Sequence, residues 1–230
     1  MLQRLLLAGA FAGLTLTMAQ AADIEATPAA YDWSGPYVGL QGGYAWGDND
    51  ASMQSFRVPP LTVDSIDIDG WLGGIHAGYL WQNDSFVFGV EGDGEFADID
   101  GETDVTRGQE VVGQLEQEID WLASLRLRAG FAVDRALFYA TGGLAVGGVE
   151  ASASYQIPAY SSGKNDTEWG WTAGGGVEYA FTDDLSARIE YRYTDLGDTK
   201  ETPPDDRFPP FEVENTFHAV RAGLSWHFGS

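Results

Sequence analysis

The chain has 230 residues, with 35 acidic side chains against 12 basic ones, a net charge of −23 and no cysteine. So acidic a chain is poorly made for nucleic acid, whose phosphates need clustered Lys and Arg, and the missing thiols exclude disulfide scaffolds, Cys-based zinc sites and thiol nucleophiles. With 44% hydrophobic and 13% aromatic residues it is also too apolar to stay a solvated, disordered acid.

The elements begin with a targeting pattern. Arg4 supplies a positive start, Leu5 to Met18 is an uncharged apolar run, and Ala19-Gln20-Ala21 offers small residues at the two positions a signal peptidase reads. This predicts a secretory signal cleaved before Ala22, because the run falls short of the ~20 residues a membrane-spanning helix needs. A short periplasmic segment is expected at 22–34.

From there to the end the apolar residues recur with period two. Segments 36–47, 70–82, 86–96, 119–131, 137–149, 168–181, 185–195 and 219–228 read as eight strands. In the fourth, Ile119, Trp121, Ala123, Leu125, Leu127, Ala129 and Phe131 share one face, and Asp120, Leu122, Ser124, Arg126, Arg128 and Gly130 the other. Short turn-forming stretches at 83–85, 134–136 and 182–184 alternate with long connections at 47–69, 97–118, 150–167 and 196–215, which read as loops. Tight turns at one end, long connections at the other and an even strand count predict an all-β fold: an eight-stranded antiparallel up-and-down transmembrane β-barrel over 35–230, preceded by a cleaved signal peptide at 1–21.

Charge tells the two faces apart. Glu91, Asp93, Glu95, Asp120, Glu178 and Glu190 fall on the same faces as Arg126, Arg128, Arg188, Arg192 and Arg221, and the opposite faces are almost uncharged. A soluble barrel would reverse this, with a greasy interior and a polar exterior; lipid requires the arrangement seen here. The outer faces also carry aromatic pairs ten residues apart: Trp71 and Trp81, Phe86 and Phe96, Trp121 and Phe131, Trp171 and Phe181. Ten tilted residues climb roughly 25 Å, the height of an outer-membrane apolar band, so these rings are expected at its two interfaces.

The inward charges are expected to neutralise one another and fill the lumen, since an eight-stranded barrel is about wide enough to be plugged by its own side chains. A narrow porin-like channel gated by the same charges is the alternative. No catalytic, cofactor or metal grouping emerges. His76, His218 and His227 fall in three different strand regions, and of the acidic stretches 64–69 and 98–104 the second has a glycine but lacks the ligand order of a calcium loop. The long connections hold most of the excess acid, with seven acids against one base in 97–118 alone, and are expected to form an acidic outer coat.

Asp32-Trp33-Ser34-Gly35-Pro36-Tyr37-Val38-Gly39-Leu40-Gln41-Gly42-Gly43-Tyr44-Ala45-Trp46-Gly47 resembles the first strand of the alphaproteobacterial outer-membrane surface antigens, also called porin-family proteins, which share the OmpA/OmpX-like eight-stranded fold. Tyr139-Ala140-Thr141-Gly142-Gly143-Leu144-Ala145 and Glu190-Tyr191-Arg192-Tyr193-Thr194-Asp195-Leu196-Gly197 resemble its fifth and seventh strands. Arg221, Gly223, Trp226 and Phe228 resemble the C-terminal signal read by the barrel assembly machinery, although Gly229-Ser230 follows where the family usually ends on the aromatic. The resemblance implies a non-enzymatic outer-membrane protein without cofactor that contributes to envelope integrity and surface interactions. Its implied partners are outer-membrane lipid and lipopolysaccharide, the assembly machinery during biogenesis, and an extracellular partner met through the loops. A surface receptor, adhesin or haem binder, with His218 as a candidate ligand, is a further alternative.

Overall fold

The computed structural model describes residues 31–53, 61–156, 159–201 and 211–228; the expected signal peptide and Gly229-Ser230 lie outside them. Ten antiparallel strands account for nearly all of these residues: β1 (Gly35–Asn49), β2 (Ala51–Met53), β3 (Leu61–Val63), β4 (Ile66–Asn83), β5 (Phe86–Arg107), β6 (Glu110–Val133), β7 (Ala136–Gln156), β8 (Ala159–Ala180), β9 (Leu185–Glu201) and β10 (Phe211–His227). β1 and β4 to β10 follow one another around a ring, which closes where β1 pairs with β10, from Tyr37 opposite His227 to Trp46 opposite His218. The two short strands extend the wall, β2 beside β10 and β3 beside β5. The eight-stranded up-and-down barrel read from the sequence is therefore the fold, and closure of β1 on β10 pairs each of the eight ring strands on both sides.

Three tight connections mark one end. Asp84-Ser85 joins β4 to β5 and Asp134-Arg135 joins β6 to β7, with Asp84 and Asp134 at φ values of 54° and 51°. Two-residue hairpins need this left-handed geometry, and Asp tolerates it better than most residues. Between β8 and β9 the Thr182 hydroxyl accepts the N–H groups of Asp184 and Leu185 at 3.3 and 3.0 Å.

The opposite end corrects the sequence reading. The stretches 97–118, 150–156 and 159–167 are not open loops but continuations of the wall: β5 and β6 stay paired up to Arg107 opposite Glu110, and β7 and β8 up to Gln156 opposite Ala159. β9 and β10 likewise stay paired to Glu201 opposite Phe211. In β5 the outward residues Asp98, Asp100, Glu102 and Asp104 alternate with the inward Ile99 and Val105, so a period-two strand with a water-facing acidic side had the composition of a loop.

A second correction concerns the inward set. Pairing slips between Ile119 and Trp121, a β-bulge that reverses the alternation of β6 above it. Ile119 is fully buried and Asp120 exposed, opposite to the faces expected of them.

The interior is stacked in three layers. Tyr31, Trp33, Tyr37, Leu80, Val87, Leu137 and Tyr139 form an aromatic and aliphatic floor at the short-turn end. Above it lies a charged layer. Higher still, Ile66, Ile68, Ile99, Leu115, Ile119, Leu122, Leu196 and Phe217 make an apolar core that runs into the strand extensions. The exterior reverses the scheme, with an apolar wall around the floor and charged layer and an acidic surface around the upper core.

Candidate functional site

The charged layer is the chemically distinctive part of the molecule. β5 delivers Glu91, Asp93 and Glu95, β6 Arg126 and Arg128, β8 Glu178, β9 Arg188, Glu190 and Arg192, and β10 Arg221; all ten are buried. Period two aims each to the same side of its strand, and closure turns that side into the lumen. With Asp120 outside, the inventory is five carboxylates and five guanidiniums.

The pairing is dense. Arg126 bridges Glu91, Asp93 and Glu190, at 3.1 Å to Asp93 and 2.9 Å to Glu190. Arg192 reaches Glu190 at 2.7 Å and Asp93 at 2.9 Å. Arg188 pairs with Glu91, Arg128 with Glu178, and Arg221 grips Glu95 through two nitrogens, each at 3.0 Å. Side chains of every arginine–carboxylate pair in this layer are at most 2% exposed. Taking so many charges out of water is tolerable only because each carboxylate meets at least one arginine and further donors.

Those further donors were not singled out in the sequence. The Tyr37 hydroxyl donates to Glu91 at 2.5 Å, that of Tyr139 to Glu190 at 2.9 Å, and the Gln41 amide to Glu95 at 2.8 Å. The Arg128 guanidinium lies 3.6 Å from the centroid of the Tyr139 ring. All three sit on the inward phase of their strands, so strand phase was the signal that could have found them. His76 and His227, also inward, bond to Ser225 at 2.9 Å and Ser186 at 3.0 Å respectively. His218 points outward instead, stacked on Trp46 and Tyr191, with the Tyr191 hydroxyl 2.6 Å from its Nδ1. Among the described residues no group of three or more His, Asp or Glu side chains is placed to hold a metal ion.

The remaining residues singled out in the sequence occupy the wall. Trp71, Trp81, Phe86, Phe96, Trp121, Phe131, Trp171 and Phe181 are all exposed on the outer face. Strand pairing gathers them into two bands: Phe96 stands opposite Trp121 in the upper one, and Phe86 opposite Phe131 in the lower. Of the C-terminal set, Arg221 and Gly223 face inward, and Trp226 and Phe228 outward.

The fold and this inverted polarity agree with comparisons to known proteins. Residues 9–228 match the family model described as an outer membrane protein beta-barrel domain. The 31 kDa outer-membrane immunogenic protein of Brucella melitensis is 33% identical, covering 94% of this chain and 96% of its own length. The 25 kDa outer-membrane immunogenic protein of the same organism is 35% identical over 76% of this chain and 71% of its own. Among solved structures, outer membrane protein OprG from Pseudomonas aeruginosa superimposes with a TM-score of 0.53 at 18% identity, covering 86% of this chain and 98% of that one, a likeness of fold. The chain belongs to the outer-membrane β-barrel family that includes these alphaproteobacterial immunogenic proteins, and it is itself an outer-membrane protein.

Proposed function

We propose that this protein is a non-enzymatic structural barrel of the outer membrane whose lumen is permanently filled and whose work is done on its outer surface. The observation that carries this reading is the neutral five-against-five charged layer, closed above by an apolar core and below by an aromatic floor. A solute passing through would have to part buried ion pairs and cross two layers packed with aromatic and aliphatic side chains, each step costing several kcal/mol. The exposed aromatic bands support a membrane position with one band at each interface. Above the upper band the wall turns acidic outside and apolar inside, as a barrel standing in water does, and this supports an extension that presents its surface beyond the lipid. That acidic coat is where contacts with lipopolysaccharide, or with partners outside the cell, would be made. Planar-bilayer recording on the refolded mature protein tests the reading. The expected result is no stable conductance above the bare membrane; steady open-channel currents would overturn it in favour of a narrow channel gated by the same charges.

A further inference from the structure

The four described residues before β1 do not trail away from the barrel. Gly35, at φ 131°, turns the chain at the start of β1, and a side chain there would press on the Phe228 carbonyl oxygen at 2.9 Å. The segment is thereby directed across the open end of the ring, where it engages the end of β4 and the β6–β7 and β8–β9 turns. At the β4–β5 side, Gln82 clamps it twice, accepting the Trp33 N–H at 2.8 Å and donating its own backbone N–H to the Ser34 hydroxyl at 3.0 Å. Across the mouth, the Tyr31 hydroxyl donates to the Asp183 carbonyl at 3.0 Å in the β8–β9 turn. The guanidinium of Arg135, in the β6–β7 turn, lies 5.6 Å from the Tyr31 ring centroid and bonds to Asp183 at 2.8 Å.

Beneath this strap Trp33 fills the mouth. It is 1% exposed, packed edge-on to Tyr31 at 4.8 Å and to His227 at 5.5 Å between ring centroids. His227 in turn bonds to Ser186, and Ser186 to Glu178, the lowest carboxylate of the charged layer. Trp33 is thus the outermost member of a stack that ends on the ion pairs. Its indole N–H has no hydrogen-bond partner among the described residues, so the ring is retained by burial and by the clamp on its backbone. Such a contact can release without stripping a charge of its partner.

We propose that residues 31–34 are a lid on the short-turn mouth of the lumen, the end that barrels of this kind place in the periplasm, and that this lid must lift before water or solute reaches the charged layer from below. The lid belongs to the sealed-lumen reading but is a separate barrier, because the charged layer and the upper core lie beyond it.

The cysteine-free chain allows a direct test. Ser186→Cys places a thiol in the fully buried layer above Trp33, and labelling of the refolded protein with a small cationic methanethiosulfonate reports access to it. With the strap intact, labelling is expected to be far slower than at Thr167→Cys, on the exposed wall. Adding Trp33→Ala should speed Ser186→Cys labelling at least about tenfold, as expected when a local opening becomes easier by a single such contact. Gln82→Ala, which removes the side-chain acceptor of the Trp33 N–H and leaves the backbone bond to Ser34, should speed labelling in the same direction by a smaller factor and serves if the tryptophan variant does not fold. Labelling of Ser186→Cys as fast as the exposed control with the strap intact overturns the proposal. So does an unchanged rate in the folded strap variants. Neither result bears on conductance through the whole barrel, so the lid and the filled lumen can fail separately.

Discussion

Arg126→Met is the sharpest probe of the charged layer. The guanidinium is fully buried and bridges Glu91, Asp93 and Glu190, so its removal leaves five carboxylates facing four arginines in a closed interior. A contact near 3 Å is worth roughly 5 kcal/mol gross at an effective dielectric of about 20, much of it offset by desolvation. Breaking a buried pair from one side strands the remaining charge, and the net loss expected is about 3–5 kcal/mol. The carboxylates retain Arg188, Arg128 and Arg192, which places the result nearer the lower bound. The control is Arg135→Met, which removes an ion pair with Asp183 whose side chains are 41% and 75% exposed; screened by water, that pair should contribute no more than about 1 kcal/mol. Reversible urea unfolding of the protein refolded into lipid vesicles measures both. Were Arg126→Met to leave stability within about 1 kcal/mol of the parent while opening a conductance, the network would be a gate and not a filling, and the reasoning would be refuted.

Three further outcomes are expected. Phe217→Ala in the fully buried upper core should cost about 3–5 kcal/mol in the same unfolding assay, with the extension most affected in hydrogen exchange. Gly39→Ala should destabilise by about 1–3 kcal/mol because its new methyl group would meet the His76 ring at 2.4 Å and the Leu224 carbonyl at 2.2 Å, whereas Gly94→Ala, facing open space on the outer wall, should be tolerated. The third concerns pH. In the extension, Glu118 has its pKa raised from 4.5 by partial burial and then by Asp120, Glu150 and Asp100. An acid that binds its proton more tightly when folded costs nothing below its unfolded pKa and becomes destabilising as pH rises through its folded value. Protection of the β6–β7 pairing in the extension against hydrogen exchange should therefore increase on acidification from neutral pH towards 4.5, and Glu118→Gln should blunt that change.

Much of the barrel was legible because membrane and lumen impose opposite demands on alternate residues. Arg126 and Arg128 beside Leu125 and Leu127 declare which side is which without reference to any neighbour. The tight turns were equally readable, since Asp84 and Asp134 stand where a two-residue hairpin needs a left-handed residue. Where water replaces lipid outside the wall this contrast changes sign, and there the reading failed: Asp98, Asp100, Glu102 and Asp104 had the composition of a loop although they line the outer side of a paired strand.

What the sequence by itself determined, then, is the inverted pattern: eight strands, an uncharged outer face with ringed borders, and a lumen rich in Glu and Arg. Only the tertiary structure decided the charge balance of that lumen, because the bulge between Ile119 and Trp121 turns Asp120 outward, and a bulge is set by pairing with β7 and not by β6 alone. It also decided which arginine meets which carboxylate. Arg126 and Glu190 are 64 residues apart, and Arg192 and Asp93 are 99 apart. Strand alternation fixes the face a side chain takes, but its partner across the lumen is fixed only when the ring closes.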